Sequence, residues 1–258
     1  MDLVEIKVHQ TSVEKRHPWE TARFDFFIHK MSQYIDFSSS VTIMDVGCGD
    51  AYFIASLKRK YPNLNCIGVD INFTEEIKKT LKQTYDDVEI SLYTTILDAK
   101  NEHLKVDLIL LMDVIEHIED DVAFLKMEIL PVMTTDKCLT FITVPAYQAL
   151  FTKHDVFLGH YRRYDNNLLL QNTSKSGLAH IELGYFFSTL IGLRLFEKAL
   201  DKLNPTRNAE GIANWNGSDL MTNIVVSILR FDLKVSLALR KLKIKLPGLS
   251  NYIICKTN

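Results

Sequence analysis

Residues 41–51 read VTIMDVGCGDA: an apolar run broken by one acid, Asp45, that stops at Gly47-Cys48-Gly49 before a helical pattern begins near Asp50. The spacing predicts a buried strand, a tight glycine turn and a helix start. Glycine lets the backbone take φ > 0 and lets a ligand lie against the main chain. The helix start offers N–H groups with no intrahelical partner. Asp45 is expected under the turn, accepting hydrogen bonds from the loop. A junction of this kind belongs at the carboxyl end of a parallel strand, where open α/β sheets bind ligands.

The remaining pattern extends that frame. Strand signals lie near 41–46, 64–70, 88–94, 106–112, 137–145, 178–184 and 251–257, and helical periodicity fills the gaps near 19–34, 50–60, 73–84, 119–130, 165–175, 186–203 and 219–243. Such alternation implies a mostly parallel sheet with helices on both faces. A chain of 258 residues with 47% hydrophobic content suits one large α/β domain, or one domain with an insertion. A net charge of −2 gives no general attraction to nucleic acid. Cys48, Cys66, Cys138 and Cys255 have no short paired spacing and lie in or beside predicted strands. They read as buried reduced thiols of a cytoplasmic protein. The first ten residues lack a signal-peptide pattern, and no apolar run is long enough to span a bilayer. Internal repeats and low-complexity tracts are absent.

The glycine turn is not a dinucleotide-phosphate fingerprint, because the third glycine position holds Tyr52, and no Gly-Lys-Ser/Thr follows. The next strand closes on Asp70, 21 residues past Gly49. A carboxylate there can accept both hydroxyls of a ribose, and a helix cap is its plainer role. Residues 106–112 are apolar except for Asp107, as in a strand buried on both faces, and lead into Asp113-Val114-Ile115-Glu116-His117. These three landmarks together resemble class I S-adenosylmethionine-dependent methyltransferases over about residues 41–145.

The resemblance implies a Rossmann-like seven-stranded sheet in the order 3-2-1-4-5-7-6 with the last strand antiparallel, and S-adenosyl-L-methionine as cofactor. It implies cofactor contacts from Asp45, Gly47, Cys48, Gly49, Tyr52 and Phe53 at the first turn. Asp70, Ile71 and Asn72 follow the second strand, Thr95 the third, and Met112, Asp113 and His117 the fourth. The whole chain, 1–258, then reads as one methyltransferase domain with a helical cover at about 14–36 and a substrate-side insertion at about 186–245. Residues 204–218, polar and carrying Trp215, suit a substrate-side insertion or lid. Two rivals are a non-catalytic protein that keeps the cofactor pocket and a nicotinamide-dependent oxidoreductase.

Acceptor chemistry is expected elsewhere. Trp19 and Arg23 lie on the helix before the first strand, where related enzymes fold a helix over the cofactor. Phe24, Phe27, Ile28 and Met31 recur there at ordinary packing periodicity. Residues 144–165 read VPAYQALFTKHDVFLGHYRRYD and follow a strand end on the ligand side. His154 and His160 are the candidate catalytic bases, and Tyr147, Tyr161, Arg162 and Arg163 the candidate acceptor contacts. Paired guanidinium groups suit a carboxylate or phosphate; a surface loop with solvated arginines is the plainer reading. The segment is similar to one in bacterial methyltransferases of cell-surface polysaccharide and lipid-linked pathways, which points to a small-molecule or lipid-linked acceptor.

Two further readings concern metal and membrane. Asp113, Glu116 and His117 share a helical face at i, i+3, i+4 and could hold a divalent ion with His154 or His160. Asp at 113 shortens one arm, so the metal-free reading is preferred. Residues 186–203 and 223–245 are amphipathic, with a basic excess. Packing on the sheet explains such helices; a basic apolar face also suits peripheral contact with an anionic bilayer.

Overall fold

The computed structural model describes residues 16–103, 105–203, 215 and 217–257. In chain order these form α1 (Pro18–Met31), β1 (Thr42–Val46), α2 (Tyr52–Lys60), β2 (Asn65–Val69), α3 (Glu75–Thr84), β3 (Ile90–Tyr93), α4 (Ile96–Glu102) and β4 (Leu108–Met112). They continue as α5 (Asp121–Phe124), β5 (Leu139–Pro145), α6 (Lys153–Phe157), α7 (Asn166–Lys175), β6 (Leu178–Phe186), α8 (Leu190–Leu203), α9 (Asp219–Lys241) and β7 (Ser250–Thr257).

The seven strands form one sheet in the order β3-β2-β1-β4-β5-β7-β6, as the resemblance implied. The first five are parallel, and β7 runs antiparallel between β5 and β6. Val46 pairs with Val69, and Met112 with Thr143, so the strands end along one edge and their loops converge there. β4 is apolar throughout because helices cover both its faces, and every residue in it is buried.

Alternation sorts the core into two layers. Ile43, Leu108, Leu110 and Phe141 pack beneath Ala22, Phe26 and Phe27 of α1, Phe53, Ile54 and Leu57 of α2, and Leu229 and Leu233 of α9. Met44, Ile67, Ile109, Leu111, Ile142 and Ile253 face the opposite layer, which includes Leu125, Ile129 and Leu169. All four cysteines are buried.

Local chemistry sets the element ends. Pro18 occupies the first turn of α1, where its missing N–H is no loss, and His17 Nδ1 accepts the Trp19 N–H at 3.2 Å. Asp165 caps α7 through the Leu168 N–H at 2.8 Å. The helix expected over 119–130 is instead broken into α5, a π-helical turn at Leu125–Ile129 and a 3-10 turn at Leu130–Val132. Pro131 is the physical reason: it cannot donate to the Met127 carbonyl, and its ring crowds that oxygen. Two short helices, α4 and α6, were not expected from periodicity. Among the described residues, no helix is long and apolar enough to cross a membrane.

Candidate active site

The glycine turn sits at the end of β1, with Gly47 at φ +73°, Gly49 at +57° and Ala51 at +58° just before α2. The Gly47 and Cys48 amides both donate to the Val69 carbonyl, at 2.8 and 3.2 Å. This folds the loop onto the end of β2. Asp70 then accepts from the Gly49 amide at 3.1 Å and from the Asn72 amide at 2.9 Å. Asp45 does not take the role expected of it. The loop amide goes to Asp70, and the Asp45 Oδ2, on a residue only 2% exposed, has no hydrogen-bond partner. Burial pushes the Asp45 carboxyl up to about 7.

The segment leading into α1 lies against this loop. Arg16 pairs with Asp50, lies 3.9 Å above the Tyr52 ring and donates to the Tyr85 hydroxyl at 3.2 Å. Arg23, one α1 turn past Trp19, stacks on that indole at 4.1 Å and pairs with Asp113. Asp113 follows β4 at φ +59°, with its amide donating to the Thr143 carbonyl at 2.9 Å. The left-handed geometry is one that aspartate tolerates better than most residues.

The loop after β5 folds back on the turn after β4. Asp155, wholly buried, accepts His160 Nδ1 at 2.9 Å, Arg163 Nε at 2.8 Å, Arg194 Nη2 at 2.5 Å and the Thr152 amide at 2.8 Å. Burial alone would raise its pKa. The His160 hydrogen bond and the two guanidinium charges outweigh it and hold the carboxyl well below the usual carboxylate range. An ionised Asp155 only accepts, so the proton of this hydrogen bond sits on His160 Nδ1, and Nε2 lies outside the pair. The His160 ring meets the edge of His117 at 4.6 Å between centroids, and the Tyr161 amide donates to the Glu116 carbonyl at 2.8 Å. Glu116 is 0% exposed, and neither carboxyl oxygen has a hydrogen-bond partner. Burial, with the nearby Asp113 charge, drives its pKa far up. Glu116, His117 and His160 offer ligand atoms within 4.8 Å of one another, so among the described residues this trio could hold a divalent ion.

Comparison with known proteins agrees with this geometry. Residues 5–129 match the family model described as a methyltransferase domain. A putative sarcosine dimethylglycine methyltransferase from Galdieria sulphuraria superposes with a TM-score of 0.55 at 12% identity, over 92% of this chain and 85% of that one. A SAM-dependent methyltransferase from Archaeoglobus fulgidus superposes at 0.53 and 15% identity, over 99% and 98%. A phosphoethanolamine N-methyltransferase from Haemonchus contortus, solved with S-adenosyl-L-methionine, superposes at 0.54 and 14%, over 93% of this chain and 52% of its own. Among curated protein sequences, none matches. Residues 5–129 thus carry a methyltransferase domain, of the kind that uses S-adenosylmethionine.

The residues of this methyltransferase fit the cofactor it uses. The turn offers left-handed backbone that a ligand can approach, an unsatisfied carboxylate oxygen on Asp45 and an acid, Asp70, at the end of the neighbouring strand. Ile71, beside Asp70, is 85% exposed and offers an apolar surface there. Gly47, Cys48, Gly49, Asp70, Asn72 and Asp113 lie in the loops at this edge, Tyr52 opens α2, Met112 closes β4, and His117 ends the short 3-10 turn that follows. Thr95 caps α4 by accepting the Asp98 amide at 3.1 Å.

Some expected roles do not match the side-chain placement. Phe53 is buried against Phe24 and Phe27, at 5.3 and 5.2 Å between centroids, so its ring belongs to the core. Arg162 donates to the carbonyls of Ile118 and Glu119 at 2.9 and 2.5 Å, and Arg163 is taken up by Asp155 and the Ala146 carbonyl. Both guanidinium groups hold the loop in place in this arrangement. His154 is buried at the start of α6, while Tyr161 is exposed. Tyr147, at φ +60°, stacks on Tyr185 at 4.8 Å. Sequence reasoning missed Arg16, Asp50 and Arg194. Arg194 read only as one cation on an amphipathic helix, since its partner Asp155 lies 39 residues away.

Proposed function

We propose that this methyltransferase modifies an oxygen or nitrogen of a small-molecule or lipid-linked acceptor in the assembly of cell-surface polysaccharide or lipid, in the cytoplasm. The whole chain serves as one domain, with α1 as cover and the region around α8 and α9 on the acceptor side. The observation that carries the reading is the Asp155–His160 pair beside the turn after β4.

When bound, the cofactor supplies a methyl carbon made electrophilic by its sulfonium. The protein's task is to hold the acceptor in line and to receive its proton. Asp155 fixes the His160 tautomer, so Nε2 would take the acceptor's proton when the methyl group passes from the sulfonium sulfur to the acceptor heteroatom and S-adenosylhomocysteine is released. Arg163 and Arg194 keep Asp155 ionised and so keep Nδ1 protonated. Asp70 holds the ribose hydroxyls, and Trp19 with Arg23 walls the site from the α1 side. His154, buried on the same loop, is the second candidate base. Glu116 and His117 lie beside His160, and the reading needs no metal there.

Screening acceptors with labelled S-adenosylmethionine identifies the substrate. With it in hand, His160→Gln is expected to lower turnover about a hundredfold while S-adenosylhomocysteine affinity is kept. Native turnover in His160→Gln would remove the base assignment. A rate abolished by chelation and restored by magnesium would instead make Glu116, His117 and His160 ligands.

A further inference from the structure

We infer that α9 and the residues following it form a docking face for an anionic lipid bilayer. The proposal deepens the lipid-linked reading of the acceptor and rests on it for its purpose, although the surface itself needs no acceptor to be tested.

Packing accounts for only one side of α9. Val226, Leu229 and Leu233 are 6%, 2% and 5% exposed and turn inward, and Arg230 ties the helix to Asp25 of α1 at 2.7 Å. Leu220, Ile224, Ile228 and Phe231 are 72%, 46%, 50% and 68% exposed. Their spacing of i, i+4, i+8, i+11 aligns them on one face of the helix. Over a helix of 23 residues this is an apolar stripe left uncovered by the described residues. Single exposed apolar side chains are ordinary, but a contiguous row marks an interaction surface.

Charge selects the occupant. From residue 220 to residue 249 the only acid is Asp232, and it is buried, accepting from the Thr189 amide and hydroxyl at 3.0 Å. The cations Lys234, Lys241, Lys243 and Lys245 are exposed. Beyond the helix, Leu242 and Ile244 alternate with these lysines and are 70% and 50% exposed. Past Asp219, the exposed acid that opens α9, apolar side chains are interleaved with lysine and free of exposed acid, which matches the headgroup region of an anionic leaflet. Two copies of this face would set lysine against lysine, which argues against self-association. The helix is too polar to span, so it lies on the surface.

The face is wired to the catalytic loop. Asp232 holds Thr189 at the entrance to α8, and Arg194 of α8 holds Asp155, the partner of His160. A bilayer touching α9 would thus lie close to the acceptor side of the site, and an acceptor anchored in it could reach the site without leaving the membrane.

Sedimentation with vesicles tests this, using phosphatidylcholine alone and phosphatidylcholine with one third phosphatidylglycerol. The full chain is expected to pellet with the anionic vesicles and to be released by salt. The variants Ile228→Glu/Phe231→Glu and Lys241→Gln/Lys243→Gln/Lys245→Gln are each expected to lose about tenfold in partitioning. Their melting temperature and S-adenosylhomocysteine affinity should stay native, since the replaced side chains are exposed. Native protein left in the supernatant, or variants that pellet like native, would overturn the proposal. So would light scattering that shows a native dimer split by Ile228→Glu/Phe231→Glu, which would assign the face to a second copy. Vesicle binding by a protein that fails to bind S-adenosylhomocysteine would leave the surface standing and reject the catalytic reading.

Discussion

Asp45 is the residue on which pH acts most directly. Its folded pKa of about 7 lies above the ordinary carboxylate value. Between roughly pH 4 and 7 the folded protein therefore binds more protons than the unfolded chain, and stability falls as pH rises through that window. The full penalty is present above about 7. Asp45→Asn removes the titration while keeping the shape, so its stabilising effect should be larger at pH 8 than at pH 5 by about 2 kcal/mol, or about 5 °C in melting temperature. Thermal melts at both values check it; an equal shift at the two would place the raised pKa elsewhere. Asp155 acts with the opposite sign. Its depressed pKa contributes stability that is present above the unfolded value and is lost as pH falls through the folded one. At this scale the sequence was only partly legible. Gly47, Gly49 and Asp70 could be placed because backbone conformation and strand ends are written locally. The partners of Arg162, Arg163 and Arg194 could not, because they are chosen by loops and helices that meet only in the folded chain.

Among the elements, the β1–α2 junction has the least freedom. Gly47 sits at φ +73°, and a Cβ there would meet Val114 Cγ2 at 2.7 Å. Gly47→Ala should therefore cost about 1–3 kcal/mol in urea denaturation and weaken S-adenosylhomocysteine binding, since the loop must move away from the turn after β4. Ala51 provides the contrast. It already occupies the left-handed region at φ +58°, so Ala51→Gly should leave stability unchanged or raise it. Equal losses in both variants would show that the loop tolerates no change at all, rather than one set by backbone conformation. Element types were readable wherever an apolar run or a period of 3.6 was unbroken, as in β4 and α9. They were misread at 119–130, where Pro131 outweighed a helical pattern, and at α4 and α6, which are too short to show a period.

For the molecule as a whole, the cofactor should act as a stabiliser. A ligand that binds only the folded state adds about 2.7 kcal/mol at a hundred times its Kd. For a chain of this size that is a rise of about 5–10 °C in melting temperature. S-adenosylhomocysteine should produce it and NADH should not, and Asp70→Ala should lose most of it. A larger rise with NADH would overturn the cofactor assignment. Strand order was legible only through the family resemblance, because nothing local in residues 250–257 says that this strand inserts between two others. That insertion has a consequence for biosynthesis. β6 touches the sheet only through β7, which is made after it. On the ribosome the five parallel strands can assemble while β6, α8 and α9 are already outside the exit tunnel. Until β7 follows, β6 has no neighbour to pair with, and one edge of β5 stands open. During that interval the nascent chain carries both edges of β6 and one of β5 unpaired beside an apolar helix, and this is when it most needs a chaperone.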